Sequence, residues 1–311
     1  MSTVAVVGSL NIDLIMRAPH CPGKSETVMG GPFGMAGGGK GSNQALAVSR
    51  LNAKSYMIGC VGNDDFGRRL RTVLTDNNVD CSHLHTRKGA STGTALITVT
   101  DDGESSIVMA QGANAYLNED DIIEAKQVFT SSDAALFQME SPTQTVTTGL
   151  KMARQYGCKT YLSAEPPFSL PNEVWSNIEC LIVNERALSF YASKESHGSI
   201  NEMAKDILSR GVHDLVITRS ARGGMVFSQN GDNFSFEAFN IRAVDNTGAR
   251  DAFCAGLCVA MSEGMPIRRA AKFGAACGAL ACTKIGAHPS LPWRHQVGAL
   301  LGEAGDDEYE L

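Results

Sequence analysis

The sequence predicts an α/β fold: a mostly parallel central sheet covered by helices on both faces, with a small β excursion. Three observations predict it. Short apolar stretches alternate with helix-period segments along most of the 311 residues. The stretches are continuously apolar, as at Val4 to Val7, which suits strands buried on both faces. Two β-rich segments, approximately 12–41 and 94–110, break the rhythm and read as a small β excursion from a single domain spanning 1–311 rather than a separate domain.

The elements follow in order. A strand from Val4 to Val7 ends in Gly8, and after the Gly- and Pro-rich stretch from Ile12 a helix begins at Gly41. Next come a strand near Tyr56 to Cys60 and a helix near Phe66 to Asn77, with Asn63-Asp64-Asp65 as cap material. Thr94 to Thr100 and Ser105 to Ala110 flank Asp102-Gly103, a strong hairpin signal. Strands then alternate with helices: Ala134 to Gln138 with a helix from Pro142, Thr160 to Ser163, Cys180 to Val183, a helix near Asn201 to Arg210, and Leu215 to Thr218. Strands at Gly224 to Ser228 and Asn233 to Glu237 are joined through Asn230-Gly231, and helices near Ala252 to Ser262 and Ile267 to Thr283 follow.

Composition narrows the function. Apolar residues make up 43% and charged residues 19%, enough to bury a sizeable core. The net charge of −6 lacks the basic footprint of a nucleic-acid binder, and 6% aromatics leave few stacking platforms. No apolar run approaches the ~20 residues of a membrane span. The N-terminal stretch carries no basic region and no small-residue cleavage site, so no signal peptide is expected. Nine cysteines without a CxxC pair read as reduced thiols of a cytoplasmic protein rather than a zinc site.

Four segments could carry chemistry. Gly34 through Lys40 nearly satisfies a P-loop, but Gly41 stands where the Mg²⁺-binding Ser or Thr belongs, and Pro32-Phe33-Gly34 makes a poor preceding strand. The better reading is backbone approaching a polar ligand at a helix start, with Lys40 and Asn43 aiming donors at hydroxyls. Asn11 and Asp13 share one side of an extended chain past the first strand, either as turn residues or as a pair suited to sugar hydroxyls. In Val244 to Phe253 a Gly turn opens an apolar helix. Asp251 is there either a stabilising first-turn carboxylate or a general base beside an anion hole. Leu215 to Gly224 is a strand and polar turn at the sheet rim, open to a nucleotide phosphate or to no ligand.

Together these residues resemble the ribokinase family, the PfkB group of carbohydrate kinases, over nearly the whole chain and in the same order. Val7 to Asp13 resembles its sugar-contact strand, Gly38 to Ala45 its first signature, and Gln138 to Pro142 the segment whose glutamate touches the sugar. Gly62 to Gly67, Ser91 to Gly93 and Gly112 to Asn114 follow the family's course, Asp245 to Asp251 falls on the second signature, and Lys284 to Ser290 resembles the closing stretch. The resemblance implies a ribokinase-like three-layer α/β/α fold with a mostly parallel central sheet and a small β-sheet lid over the sugar, for which segments 12–41 and 94–110 are the candidates, and lid strands that pair into a homodimer. It implies ATP-dependent phosphorylation of the primary hydroxyl of a pentose, most simply D-ribose to D-ribose 5-phosphate, with Mg²⁺ and with K⁺ as a further candidate.

The same resemblance implies that Asn11, Asp13, Gly38, Gly39, Lys40, Asn43 and Glu140 hold the sugar and Asp251 takes its proton. The backbone of Gly248, Ala249, Arg250 and Asp251 would form the anion hole, and Asn184, Thr218, Ser220 and Gly223 would meet ATP. Asp245, Thr247, Ala281, Lys284, Gly286 and Ser290 match the positions that hold a monovalent cation.

The departures lie on the phosphate side. The third residue of GAGD is Arg250, the glutamate of N-x-x-E is Ala187, the nucleotide-turn glycine is Ser220, and Asn-Pro-Ala-Pro reads Ala164-Glu-Pro-Pro167. Glu185 falls two residues early and is expected to face elsewhere. Arg250 either crosses the phosphate site or turns outward to an acid such as Glu185. A buried cation needs a partner, so the outward or rim position is expected. A kinase for another sugar or nucleoside, or a sugar-binding protein of little turnover, are the competing functions.

Overall fold

The structure, a computed structural model, describes residues 1–302 apart from 102–104, 194, 196 and 197. Asp102-Gly103 of the expected hairpin turn therefore lies outside the described residues. Fourteen strands appear among the described residues: β1 (Thr3–Val7), β2 (Asn11–Ala18), β3 (Phe33–Gly38), β4 (Lys54–Gly62), β5 (Val79–Asp80), β6 (Leu84–Arg87), β7 (Gly93–Thr100), β8 (Ser105–Ala110), β9 (Ala134–Gln138), β10 (Lys159–Ser163), β11 (Cys180–Asn184), β12 (Asp214–Thr218), β13 (Gly224–Ser228) and β14 (Phe234–Phe236). The helices are α1 (Lys40–Arg50), α2 (Asp65–Asp76), α3 (Glu119–Glu124), α4 (Lys126–Thr130), α5 (Thr143–Gln155), α6 (Glu185–Tyr191), α7 (Ile200–Ser209), α8 (Ala249–Ser262), α9 (Ile267–Ala281), α10 (Ala287–Ser290) and α11 (Arg294–Leu301).

The large sheet runs β14-β13-β12-β11-β10-β9-β1-β4-β5, with β6 also on β4. Every pairing from β12 to β5 is parallel, and β13 and β14 turn antiparallel. Because Val4 to Val7 is wholly buried, both faces of β1 need cover. One core, with Leu46, Leu257 and Cys277, lies under α1, α8 and α9, and another, with Phe137, Leu150 and Ile207, lies under α5 and α7. β1 pairs β4 on one side and β9 on the other, so the connections diverge there and leave a crevice at its carboxyl end.

The small sheet, β3-β2-β7-β8, confirms the two β-rich segments: β2 pairs β3 antiparallel and β7 parallel, and β7 pairs β8 antiparallel. Phe33–Gly38 is a strand, contrary to the expectation of a poor one. It is the exposed edge of the small sheet, where a preceding proline removes no ladder hydrogen bond, and not the buried strand that a P-loop follows. The short β5 and β6, and the helices α3, α4, α6, α10 and α11, escape the sequence reading because pieces this short carry too few apolar repeats.

Polar side chains fix the start of β2. Asn114 Nδ2 donates to the Leu10 carbonyl at 3.0 Å and to Asn11 Oδ1 at 2.8 Å, and its Oδ1 accepts from the Leu10 amide. Asp64 caps α2 by accepting from Gly67 N at 2.8 Å and also holds Thr92 through its amide and hydroxyl.

Candidate active site

The site is built where β1, β9, β11 and β12 end beside the first turns of α1 and α8. Helix α1 comes in close: a Cβ at Gly41 would lie 2.6 Å from the Gly8 carbonyl carbon. A Ser or Thr cannot occupy that place, which removes the P-loop reading on packing grounds. A Cβ at Gly38 would likewise strike the Asp13 carboxylate. The first signature's glycines thus exist to bring backbone against Ser9 and Asp13.

Asp251 sits in the first turn of α8, almost fully buried, and accepts from Asn43 Nδ2 at 2.7 Å and Gln44 Nε2 at 2.9 Å. Burial pushes its pKa up, while Lys40, Asn43 and Gln44 pull it down. Gln44 is oriented by Gln138, whose Nε2 donates to Gln44 Oε1 at 2.6 Å. The other oxygen of Asn43, Oδ1, is buried without a hydrogen-bond partner among the described residues, an acceptor that a ligand hydroxyl would satisfy.

Asp13 is buried on the site-facing side of β2, its pKa raised to about 7 by burial and then by Glu140. Lys40 Nζ lies 2.6 Å from Glu140 Oε1, and Ser9 Oγ donates to Glu140 Oε2 at 2.5 Å. Burial opposes the Lys40 ammonium, yet Glu140 and Asp251 outweigh it and raise its pKa. Lys40 is therefore a tethered cation rather than the free donor expected. A cavity of about 450 Å³ opens here, walled by Lys40, Glu140, Glu165, Asp251 and, from the small sheet, Met109.

A second cavity of about 410 Å³ lies past Asn184, Thr218, Ser220 and Arg222. Ser220 holds φ of 52°, the left-handed region where the family pattern has glycine. Gly223 has no place in the cavity wall and closes the turn, since a Cβ there would meet the Phe236 carbonyl. Glu185 takes Arg219 Nε at 3.0 Å and Arg222 Nη2 at 2.5 Å, so it faces the nucleotide turn instead of pointing elsewhere. Arg250 corrects a further expectation. It forms an ion pair with Glu165, not Glu185, and it lines both cavities rather than turning outward.

At the head of α8, Gly248 is the N-cap at φ of 79°, and the Ala249 amide bonds the Asn246 carbonyl at 3.2 Å. The expected anion hole is to that extent narrower, with the Arg250 and Asp251 amides the first-turn donors that helix geometry leaves over. Beside it, Asp245 Oδ1 accepts from the Thr247 amide and hydroxyl, Asp245 Oδ2 accepts from Gly286 N at 2.8 Å, and Ser290 Oγ donates to the Ala287 carbonyl. These bonds bring Asp245, Thr247, Gly286 and Ser290 into one loop pair, with Ala281 buried at the end of α9 and the Lys284 side chain exposed. Gln44, Gln138, Ser9 and Glu165 are the site residues that received no role from the sequence. Gln44 was findable from its place directly after Asn43, whereas Glu165 reaches the site only through the fold.

Comparison with known proteins agrees with this fold. The ribokinase of Haemophilus influenzae is 33% identical over 304 residues, covering 97% of this chain and 99% of that protein. That of Schizosaccharomyces pombe is 31% identical over 303 residues, covering 94% and 95%. Among solved structures, Thermotoga maritima ribokinase superposes with a TM-score of 0.88 at 28% identity, covering 97% of this chain and 100% of that one. Arabidopsis thaliana ribokinase, complexed with ribose and ATP, gives the same score and identity, covering 97% and 99%. The profile described as pfkB family carbohydrate kinase matches residues 1–294, and the chain belongs to that family.

Proposed function

We propose that this protein transfers the γ-phosphoryl group of ATP to the primary hydroxyl of a pentose, D-ribose in the first instance. The observation that carries the reading is the Asp251 carboxylate, held by Asn43 and Gln44 in the wall of a polar cavity that ends at a helix start. Asn11, Asp13, Asn43 and Glu140 bind and orient the sugar. Asp251 takes the hydroxyl proton as the sugar oxygen bonds to phosphorus. The bond from phosphorus to the β–γ bridging oxygen breaks, and ADP leaves with that electron pair. The first-turn amides of α8 face the developing charge. The nucleotide occupies the second cavity, against Asn184, Thr218 and Ser220.

Mg²⁺ carried by the nucleotide would supply charge neutralisation, and Glu165 and Asn184, hydrogen-bonded to each other, are the oxygen-bearing residues that would hold its water shell. The hard-oxygen donors of Asp245, Thr247, Ser290 and the backbone of Ala281, Lys284 and Gly286 suit K⁺. The small sheet acts as a lid. Its outer face presents Phe33, Leu96 and Val108 at 60%, 54% and 69% exposure, a surface that a second copy of this chain would cover to make a homodimer. Nine unpaired cysteines suit a reducing, cytoplasmic setting. No helix among the described residues is long and apolar enough to cross a membrane.

A sugar-binding protein of low turnover is the second reading, favoured by the Arg250–Glu165 pair between the cavities. An ADP-release assay over pentoses and nucleosides, with and without K⁺ and with thermal shifts on the same ligands, separates the two. Turnover with ribose supports the kinase; a thermal shift without ADP release supports the binder.

A further inference from the structure

The altered phosphate-side motifs meet in space. Arg250, in place of the second glycine of GAGD, forms an ion pair with Glu165, from the altered Ala164 to Pro167 segment. Glu165 Oε1 accepts from Asn184 Nδ2 at 2.7 Å, and Asn184 Oδ1 accepts from the amide of Ala187, where N-x-x-E lacks its glutamate. Arg250 also lines both cavities, so a phosphoryl group passing from nucleotide to sugar passes its guanidinium.

The charges nearby say what that guanidinium does. In the wall of the first cavity the carboxyl groups of Glu140, Glu165 and Asp251 outnumber the cations Lys40 and Arg250, and Lys40 is already held by Glu140 at 2.6 Å. A phosphate entering there finds Arg250 as its cation. Glu165 pairs with the guanidinium, and a planar fork of five N–H donors has more of them than one carboxylate can accept, so it can also meet a second anion. The pair is only partly exposed, so its charges are incompletely screened.

We propose that Arg250 contacts the transferred phosphate, supplying charge stabilisation that the missing N-x-x-E glutamate no longer organises, and that Glu165, fixed by Asn184, is its positioning residue. Arg250 forms no covalent bond and moves no proton. The proposal deepens the kinase reading above and rests on it.

The test compares ribose with ribose 5-phosphate by calorimetry, because the product carries its phosphate where the transferred group arrives. Arg250→Gly is expected to leave ribose affinity unchanged and to weaken ribose 5-phosphate by at least ~10-fold, the scale of a charge-assisted contact. Arg250→Lys should fall between, since an ammonium lacks the fork. Removing Arg250 also unmasks the Glu165 carboxylate, so the double variant Arg250→Gly with Glu165→Gln is the control and should stay weakened. Recovery in the double variant, or unchanged or tighter binding in Arg250→Gly, overturns the proposal. So does a parental protein that binds ribose but not ribose 5-phosphate. Single-turnover ADP release should fall ~10²-fold in Arg250→Gly. Glu165→Gln should lower kcat with the KM for ribose unchanged, and a raised kcat would overturn its positioning role. A parental protein that releases no ADP with ribose sinks the kinase reading, while the binding comparison still decides the role of Arg250.

Discussion

Gln44 donates through Nε2 to Asp251 Oδ1, and its own Oε1 accepts from Gln138. The second bond fixes which end of the Gln44 amide faces the carboxylate. Asp251 thereby keeps two amide donors in a buried place where a bare carboxylate would take up a proton.

Gln44→Leu should therefore raise the Asp251 pKa. The proposed base works only when ionised, so the acid limb of the kcat–pH profile should move to higher pH while the plateau changes little. A limb at the parental position would show that Gln44 does not tune the base.

Asp251→Asn should leave ribose bound and lower kcat by ~10²–10⁴-fold, because an amide cannot take the hydroxyl proton. Calorimetry and steady-state kinetics on the same variant check both halves. Near-parental kcat would remove the base assignment.

Asp13 gives a pH dependence of definite sign. Its pKa rises from an ordinary 3.8 to about 7 in the fold. Between those values the folded chain holds a proton that the unfolded chain has lost, so Asp13 costs stability progressively as pH rises from 3.8 to about 7. Asp13→Asn should gain stability relative to the parent at pH 8 compared with pH 4, read from denaturant melts at both. A constant difference would refute the buried-carboxylate account.

Ser220 holds a left-handed φ of 52° without being glycine. Relief of that strain is worth ~1–2 kcal/mol and the added unfolded-state freedom costs ~0.4–1 kcal/mol. Ser220→Gly should then stabilise by up to ~1 kcal/mol and raise Tm by a few degrees. A lower Tm would mean that the hydroxyl matters more than the backbone.

Val108 lies opposite Leu96 on the outer face of the small sheet. The homodimer proposed through this face should be lost in Val108→Glu, read as a shift to monomer in sedimentation velocity, since an apolar patch that excludes water tolerates no unpaired charge. An unchanged sedimentation coefficient would place any dimer contact elsewhere.

The sequence by itself determined the layered sheet, the two β-rich segments and the residues proposed for the sugar side. Those features are local: apolar runs mark buried strands, glycines mark close backbone approach, and the motif stretching from Gly38 to Ala45 puts Asn43 and Gln44 on one helix turn. Glu165, Asn184, Arg219 and Arg250 lie far apart along the chain, and only the tertiary structure decided their pairing. Sequence reasoning sent Arg250 outward, toward Glu185, because a cation needs a partner. The fold instead set Glu185 between Arg219 and Arg222, brought Glu165 across from the end of β10, and held Arg250 between the cavities. An ion pair is chosen by which charges the backbone brings within a few ångströms, and that distance is a property of the packed sheet and helices rather than of spacing along the chain.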